Sequence, residues 1–319
     1  MQSKTAERFF MEIIENRKLA VLIDGDNASA EKVEELFEEI AKFGTANVKR
    51  IYGDWTSDGL KSWKEKLLDF AIVPIQQFAY TKGKNATDMQ LIIDAIDLLH
   101  ETSLDGFCII SSDSDFTPLV SRLRQSGKMV YGFGKKQTPK ALIKACNQFI
   151  YVENLGEDDN AAANSQTQKN LPTTQQILDG GIKTLLFSAI KAKSDEMGWA
   201  YVSGISNYIN GINPDFDPRS YGYAKISNML KNLGNLQFKV DEQSRMYCRK
   251  IPLGKLYALL RELPNDFKDQ NGWIKIDDKL DKVVKEKWDY TEYGLTLHKA
   301  LQKLYNAEMK DDKIKLNLN

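Results

Sequence analysis

The sequence predicts an α/β protein: a doubly wound, mostly parallel sheet of about five to six strands in the first half, followed by two small α+β modules. Short apolar runs alternate with amphipathic helical periods from residue 19 to about residue 154, as in chains that build βαβ units. After residue 176 one sequence pattern occurs twice. The chain has 319 residues, of which 42% are apolar, so it is long enough to form more than one buried core.

The strands of the first half are predicted at the short apolar runs, and amphipathic helices are predicted between them, with "LKSWKEKLLDF" and "MQLIIDAIDLL" as two examples. The runs, in order, are LAVLID, VKRIYG, AIVPIQQF, GFCIIS, KMVYGFG and FIYVE. In a doubly wound sheet, ligands bind beyond the carboxyl ends of the strands, where the strand order reverses. If the first and fourth strands flank that point, their carboxyl ends lie side by side.

Both of those strands end in acidic residues. The first delivers Asp24, and the fourth delivers Asp113 and Asp115. One acid at such a position is an ordinary turn or helix cap, but several acids at one sheet edge need a further explanation. We therefore expect these carboxylates to form a site.

A fourth acid, Asp88, heads the helix "TDMQLIIDAIDLLH". Residues advance by about 100° each in a helix, so Asp88 lies in the middle of the stripe formed by Leu91, Ile92, Ala95 and Leu99. An acid in the first helical turn also favours the helix dipole, which is the simpler explanation. A carboxylate on an apolar stripe nevertheless requires a cation or several donors. Asp97 lies on the opposite face, and the role of Asp94 stays open.

Clustered carboxylates without histidine or thiolate ligands select a hard cation, and Mg²⁺ or Mn²⁺ is the usual one. Such an ion lowers the pKa of a bound water and stabilises an in-line phosphoryl displacement, which makes phosphodiester hydrolysis the natural reaction. Loops after the third and fifth predicted strands add basic residues that suit a polyanionic substrate, although lysines on loops are common. These candidate RNA-binding residues are Lys82, Lys84, Lys135, Lys136 and Lys140.

The motifs "LIDGDN", "KGKNATDMQL", "ISSDSDFTPLV" and "GKMVYGFGKKQTPKAL" together resemble the NYN domain, a branch of the PIN-like metal-dependent ribonucleases. The resemblance implies that the four acids bind the metal. It also assigns Asn27 to the polar position after the first strand and Ser111 to the serine that opens the "S-x-D-x-D" motif. Asp26 is an extra acid, and Ser112 stands where the family often has glycine. Neither departure removes a carboxylate.

Two other functions are compatible with parts of this pattern. Asp24 and Asp26 are spaced like the acid pair of a haloacid-dehalogenase-like phosphatase, but Ala28 stands where that resemblance leads us to expect Thr or Val. The second alternative is an RNA-binding adaptor that does not cleave, because a sequence does not distinguish a competent acid site from an idle one. Metal binding and RNA cleavage separate these alternatives.

The second half contains the repeat. "GWAYVSGISNYI" and "FDPRSYGYAKISNML" recur as "GWIKIDDKLDKV" and "WDYTEYGLTLHKAL". The first copy resembles the LOTUS domain, also called OST-HTH, a winged-helix fold of RNA-associated proteins, and the second resembles it more weakly. The resemblance implies RNA or a protein as the partner. Candidate phosphate contacts lie on or beside the recognition helix of the first copy, and their alternative role is ordinary solvated charge. They are Arg219, Lys225 and Lys231.

These observations predict an NYN domain over residues 1–154, a polar linker over 155–176, a LOTUS module over 177–250 and a divergent second module over 251–319. No apolar run reaches the length of a membrane span, and the charged amino terminus is unlike a secretory signal. Three scattered cysteines fit reduced, buried thiols. A cytoplasmic location is therefore expected. Residues 1–170 carry 21 basic and 25 acidic side chains, which weakly favours an acidic site in the first half.

Overall fold

A computed structural model of the chain describes residues 17–56, 58–78, 86–101, 103–156, 178–304 and 306–317. The chain forms two compact units. The first contains the described residues up to Leu178 together with Ser206–Lys225, and the second contains Asp179–Ile205 and the described residues from Ile226 onward. The amino-terminal segment up to residue 16, most of the expected linker (residues 157–177), Lys82 and Lys84 lie outside the described residues.

The first unit is built on a six-stranded sheet in which every neighbouring pair of strands is parallel. The strands are β1 (Lys18–Asp24), β2 (Thr45–Gly53), β3 (Val73–Gln76), β4 (Gly106–Ile110), β5 (Met129–Gly134) and β6 (Gln148–Tyr151). Their spatial order is β3-β2-β1-β4-β5-β6, so the order reverses between β1 and β4. This confirms the α/β fold and the parallel sheet that the sequence predicts. It also makes the ends of β1 and β4 neighbours, as expected.

Helices connect these strands and cover both faces of the sheet. They are α1 (Val33–Ala41), α2 (Lys61–Lys64), α3 (Ala86–Glu101), α4 (Thr117–Gln125) and α5 (Lys140–Ala145). Successive side chains of β1 point to opposite faces: Ala20 and Leu22 join one buried cluster, and Leu19, Val21 and Ile23 join the other. Because the central strands are buried on both sides, they read as continuous apolar runs in the sequence.

The helix expected over "LKSWKEKLLDF" is shorter than its periodicity suggests. It follows a 3₁₀ turn at Asp58–Leu60, spans only Lys61–Lys64 and then gives way to turns. The chain reverses where the Ile72 amide donates to the Leu67 carbonyl at 2.8 Å and Ala71 adopts a φ of 50°. This reversal delivers the chain directly to β3. The turns that follow Lys64 therefore prevail over the helical period.

Two small modules follow, each with a three-stranded antiparallel sheet. The first comprises α6 (Gly180–Lys193), β7 (Ala200–Tyr201), α7 (Val202–Ile212), α8 (Ile226–Lys231), β8 (Leu236–Val240) and β9 (Met246–Lys250). The second comprises α9 (Leu253–Arg261), β10 (Ile274–Lys275), α10 (Asp278–Lys287), α11 (Leu297–Gln302), β11 (Ala307–Lys310) and β12 (Lys313–Leu316). The element order is the same in both, and so is the strand order: β7-β9-β8 and β10-β12-β11.

The repeat extends to the turn before each first strand. Asp195 Oδ1 accepts the Trp199 amide at 2.8 Å, and Asp269 Oδ1 accepts the Trp273 amide at 3.0 Å. The glycine before each tryptophan has a positive φ, 80° at Gly198 and 78° at Gly272, which an L side chain adopts only with strain. The "GW" pair that revealed the repeat is therefore part of a conserved turn geometry within this chain.

The segment Ser206–Lys225 belongs to the first unit although it lies within the first module in sequence. The Phe149 amide of the edge strand β6 donates to the Pro214 carbonyl at 2.8 Å, and the Tyr151 hydroxyl donates to Asp215 at 2.8 Å. Backbone groups on an edge strand otherwise lack partners, so this segment protects the β6 edge of the sheet. Leu155, the first residue of the expected linker, is also buried in the core of this unit.

Cys108, Cys146 and Cys248 are free and buried, which agrees with the expectation from the sequence. Burial raises the pKa of each thiol, to about 12 for Cys146 and Cys248. Among the described residues, none of the helices has the length and apolar character needed to cross a membrane.

Candidate metal and RNA site

The candidate site begins where β1 and β4 end side by side. Ile23 pairs with Ile110 across the two strands, so Asp24 and Ser111 follow at the same edge of the sheet. The Ser111 hydroxyl donates to Asp24 Oδ2 at 2.7 Å, and the Asn27 amide donates to the same oxygen at 2.7 Å. These two donors hold one face of the Asp24 carboxylate. The residues after the first and fourth strands are thus brought together as predicted.

Asp24 is fully buried, and its second oxygen, Oδ1, has no hydrogen-bond partner. Burial is the largest cause of a raised pKa at this carboxyl, and the negative charge of Asp26 adds to it. The hydrogen bonds from Ser111 and Asn27 act in the opposite direction. A buried carboxylate oxygen without a donor is costly, and a cation in contact with it would remove that cost.

The turn that follows β1 requires glycine at position 25. The Gly25 amide donates to the Tyr52 carbonyl of β2 at 2.9 Å. A Cβ on this residue would lie 2.8 Å from that carbonyl oxygen and 2.9 Å from Leu60 Cδ2. In the "DGDN" sequence, Gly25 therefore allows the backbone to approach β2 closely directly after Asp24.

Asp113 is joined to the same network through the backbone. Its amide donates to the Ser111 hydroxyl oxygen at 3.0 Å, so this hydroxyl accepts from Asp113 while it donates to Asp24. Asp113 Oδ1 accepts the Asp115 amide at 2.9 Å and caps a 3₁₀ turn at Ser114–Phe116. Asp113 is half-buried and Asp115 is exposed. Asp113 therefore serves both as a cap and as a member of the acidic group.

Asp88 lies in the first turn of α3 and is half-buried above the stripe of Leu91 and Ala95, both of which are fully buried. Burial raises the pKa of Asp88 to about 6, and repulsion from Asp24, Asp113, Asp26 and Asp115 contributes in that order. Asp88 therefore lies within the electrostatic field of the acids from β1 and β4. The helical wheel predicts this burial.

The acids are neighbours, yet they are not arranged as a finished coordination shell. In the described part of the chain, no three His, Cys, Asp or Glu side chains are placed to hold a metal ion together. Their chemistry nevertheless fits a hard divalent cation, because all the donors are carboxylate oxygens, they repel one another and Asp24 Oδ1 lacks a partner. Binding of Mg²⁺ or Mn²⁺ by Asp24, Asp88, Asp113 and Asp115 stays a prediction.

Comparisons with known protein families match the chain in two places, residues 18–153 to the NYN domain and residues 176–248 to the OST-HTH/LOTUS domain. The chain carries an NYN domain followed by an OST-HTH/LOTUS domain. The NYN domain belongs to the PIN-like nuclease superfamily. The two family resemblances found in the sequence are confirmed.

A similar curated protein is an uncharacterized protein from Methanocaldococcus jannaschii, 25% identical over 146 residues. That match covers 44% of this chain and 56% of the archaeal protein, so the chain spans little more than half of its length. Similar solved structures include a Vibrio parahaemolyticus protein of unknown function (18% identity, TM-score 0.36, 43% of this chain and 94% of that one). Another is an uncharacterized Nitrosomonas europaea protein (29% identity, TM-score 0.21, 27% of this chain and 89% of that one).

The predicted basic residues of the NYN domain that are described lie on its surface. Lys135, Lys136 and Lys140 are exposed at the loop after β5. The Lys135 amide donates to the Ser112 hydroxyl at 2.9 Å, which joins this loop to the residues that follow β4. This bond places the start of the lysine loop beside the acidic edge. Contact of these lysines with RNA stays a prediction.

The three basic residues predicted from the OST-HTH/LOTUS domain have different surroundings. Lys225 and Lys231 are exposed. Arg219 is mostly buried in the first unit, where its guanidinium donates to both carboxylate oxygens of Glu39 at 3.0 and 3.1 Å and also pairs with Asp217. These bonds raise the pKa of Arg219 against the effect of its burial. The Arg219 charge is thus balanced by two acids within the unit.

A polar network that the sequence patterns do not reveal holds α3 against the sheet. Asp94 of α3 accepts hydrogen bonds from Arg50 and Tyr52, both on β2, and the Arg50 contact is an ion pair. The pKa of the Tyr52 hydroxyl is raised, mainly by burial and by its bond to Asp94. A polar residue at the flank of an apolar stripe was the available signal at Asp94. Its partners lie 42 and 44 residues away in sequence, so the helical wheel did not identify them.

Proposed function

We propose that this chain is a Mg²⁺- or Mn²⁺-dependent ribonuclease that hydrolyses RNA phosphodiester bonds at the acidic edge of its NYN domain. The observation that carries the proposal is Asp88, half-buried on α3 within the field of the acids that follow β1 and β4. Mutually repelling carboxylates of this kind are stabilised by a divalent cation. The PIN-like relationship of the domain supports the same reaction.

In this proposal Asp24, Asp88, Asp113 and Asp115 hold the metal ion. When bound, the ion supplies an acidified water and charge stabilisation for in-line displacement at phosphorus. Ser111 and Asn27 fix the orientation of Asp24 through its Oδ2 and leave Oδ1 for the cation. Lys135, Lys136 and Lys140, with Lys82 and Lys84, attract the RNA backbone. The products are a 5′ phosphate and a 3′ hydroxyl.

The OST-HTH/LOTUS domain is proposed to hold RNA or a protein partner. Lys225 and Lys231 are candidate phosphate contacts, and the β8–β9 hairpin adds cations that stack on aromatic rings. Lys239 Nζ lies 4.2 Å from the Trp199 ring centroid, and the Arg249 guanidinium lies 4.7 Å from it. Cations on aromatic faces are a common component of single-stranded nucleic acid surfaces.

The decisive experiment follows cleavage of a labelled RNA by the full chain with Mn²⁺, with EDTA and with Asp113→Asn. Asparagine at this position keeps the side-chain oxygen that caps the 3₁₀ turn, so it removes charge with little change in the loop. The matched control is Asp97→Asn, the same change at an exposed position on α3. We expect cleavage to require Mn²⁺ and to be lost in Asp113→Asn only.

Cleavage that persists in EDTA or in Asp113→Asn would exclude this mechanism. A chain that binds RNA but neither cleaves it nor gains thermal stability from millimolar Mg²⁺ or Mn²⁺ would instead be the RNA-binding adaptor. The thermal shift is measured on the same preparations. If no cleavage is seen, a metal-induced rise in melting temperature indicates that the wrong RNA was used, whereas no rise indicates an idle acid site.

A further inference from the structure

A cavity of about 360 Å³ opens beside the acidic site, at the carboxyl ends of β1, β4, β5 and β6. Its volume lies within the range of small-ligand sites in proteins. Asn27 and Ser111 line it, and these are the two side chains that donate to Asp24 Oδ2. The cavity and the proposed metal site therefore share a wall. A group bound in the cavity would lie next to the acids.

The walls of the cavity are largely apolar. The apolar residues that line it are Leu36, Ile110, Phe133, Val152 and Leu155. All of these except Val152 belong to the buried core on the α1 side of the sheet. A flat, mostly apolar group with a few polar atoms at its edge suits such walls. A nucleobase has this character, and RNA recognition commonly takes single unstacked bases into pockets.

One charged residue of the cavity has unused hydrogen-bonding capacity. Glu153 Oε1 accepts the Lys136 amide at 3.0 Å, whereas Oε2 is buried and has no partner. The backbone of Glu153 is anchored, because Lys32 Nζ donates to its carbonyl at 3.2 Å and to the Leu155 carbonyl at 2.8 Å. The carboxylate is therefore held at the cavity by both its backbone and one oxygen. Oε2 is shielded in this conformation, so an N–H donor of a ligand would satisfy it once the carboxylate turns toward the cavity.

From this geometry we propose that the cavity receives one unpaired base of the RNA, next to the phosphate that is cut, and that Glu153 selects a base with an exocyclic amino group. This inference rests on the proposed ribonuclease function. Adenine, cytosine and guanine offer an amine to a carboxylate, whereas uracil offers only a ring N–H between two carbonyl acceptors. A base paired in a duplex is not free to enter. The substrate is therefore single-stranded RNA with a preference against uridine at one position.

The test fills the cavity and measures cleavage of single-stranded oligonucleotides with Mn²⁺. Ala28 and Val152 line the cavity, so Ala28→Leu and Val152→Phe each place bulk inside it. Ala41→Leu is the matched control, because Ala41 is exposed at the end of α1. We expect both filled variants to lose at least about tenfold in kcat/KM, with the loss chiefly in KM. The Mn²⁺-induced rise in melting temperature should stay unchanged, and the control should behave as the unmodified chain.

Base selection is tested with Glu153→Gln, which keeps an oxygen for the Lys136 amide but removes the charge. Homopolymeric adenine, cytosine and uracil oligonucleotides are compared. We expect the unmodified chain to favour adenine and cytosine over uracil and the variant to lose about tenfold of that preference. A preference unchanged by Glu153→Gln would overturn the role of Glu153. Equal rates on a duplex of the same sequence would overturn the unpaired-base requirement.

The outcomes separate this inference from the proposed function. If the unmodified chain cleaves RNA and both filled variants cleave it equally well, the cavity inference is overturned and the ribonuclease stands. If the unmodified chain does not cleave RNA with Mn²⁺, the ribonuclease proposal fails. Calorimetry of adenosine 5′-monophosphate binding then decides whether the cavity receives a base. Binding that is lost in both filled variants supports the base site, and absence of binding overturns it.

Discussion

Ser111 joins Asp24 to Asp113: its hydroxyl donates to Asp24 Oδ2 at 2.7 Å and accepts the Asp113 amide at 3.0 Å. One side chain thus sets the relative positions of acids that follow two different strands. Its hydroxyl proton is committed to Asp24, because its oxygen is the acceptor for the amide. The "S-x-D-x-D" spacing of the sequence has this structural meaning.

Replacing Ser111 with alanine should weaken metal binding without removing a carboxylate. Asp24 would keep the Asn27 donor but lose the other one, and the loop carrying Asp113 would lose its anchor. Loss of such a supporting bond typically costs about 10- to 100-fold in metal affinity. Calorimetric titration with Mn²⁺ measures it, with Ser114→Ala in the same loop as control. An unchanged dissociation constant in Ser111→Ala would contradict a positioning role.

The raised pKa of Asp88 predicts how the stability of the metal-free chain depends on pH. The pKa rises from 3.8 to about 6 on folding, so the folded state binds the proton more tightly. The stability that the folded chain gains from protonated Asp88 is fully present below about pH 4 and is lost as the pH rises through 6. Asp88 is half exposed, so after allowance for solvent screening the effect is about 1 kcal/mol.

Urea unfolding in EDTA at pH 4.5, 6 and 7.5 measures this contribution as the difference between the unmodified chain and Asp88→Asn. We expect the advantage of the variant to be largest at pH 7.5 and to shrink toward pH 4.5. Asp54 and Asp241, whose pKa values are lowered, are present in both chains. Their contribution to the pH dependence of stability, like that of the other carboxyls, therefore cancels in the difference. Millimolar Mg²⁺ should reverse the ranking at pH 7.5, because only the unmodified chain keeps all four acids.

The network of Asp94, Arg50 and Tyr52 should stabilise the first unit and hold α3 in place. Tyr52→Phe removes a buried hydroxyl bonded to a carboxylate, and the expected loss is about 1 to 3 kcal/mol in the free energy of unfolding. Tyr131→Phe is the matched control in the same sheet, because its hydroxyl accepts a longer bond of 3.3 Å from Arg17. Chemical denaturation compares the two. Equal losses would show that the Asp94 bond adds nothing specific.

Much of this molecule could be predicted from local patterns. The apolar runs identify the strands, the acids at two strand ends mark the candidate site, and the helical period places Asp88 against the core. Interactions between residues far apart in sequence could not be predicted in this way. Arg219 and Glu39 are 180 residues apart, and Glu39 looks like an ordinary solvated acid of an amphipathic helix. Only the folded chain shows that Glu39 is buried and paired.

The same pair separates two roles for Arg219, an RNA contact and a structural ion pair. Glu39 and Asp217 are both buried, so Arg219→Ala would leave Asp217 without its cation and Glu39 with only Lys42. Breaking a buried pair of this kind typically costs about 3 to 5 kcal/mol, and Arg219 retains some exposure, so we expect about 2 to 3 kcal/mol. Lys136→Ala, at an exposed position in the same unit, should change stability by less than about 0.5 kcal/mol.

RNA binding distinguishes the two roles more directly. If Arg219 is a structural residue, Arg219→Lys should lower the melting temperature while the slope of RNA affinity against salt concentration stays unchanged. If it contacts phosphate, Arg219→Lys should preserve the slope and Arg219→Ala should reduce it by about one unit.

A chain ending at residue 156 lacks Arg219 and also lacks the segment that covers Phe149 and Tyr151 at the β6 edge. We expect that fragment to be less stable and more prone to associate than one in which Ser206–Lys225 is present, measured by light scattering at equal concentration.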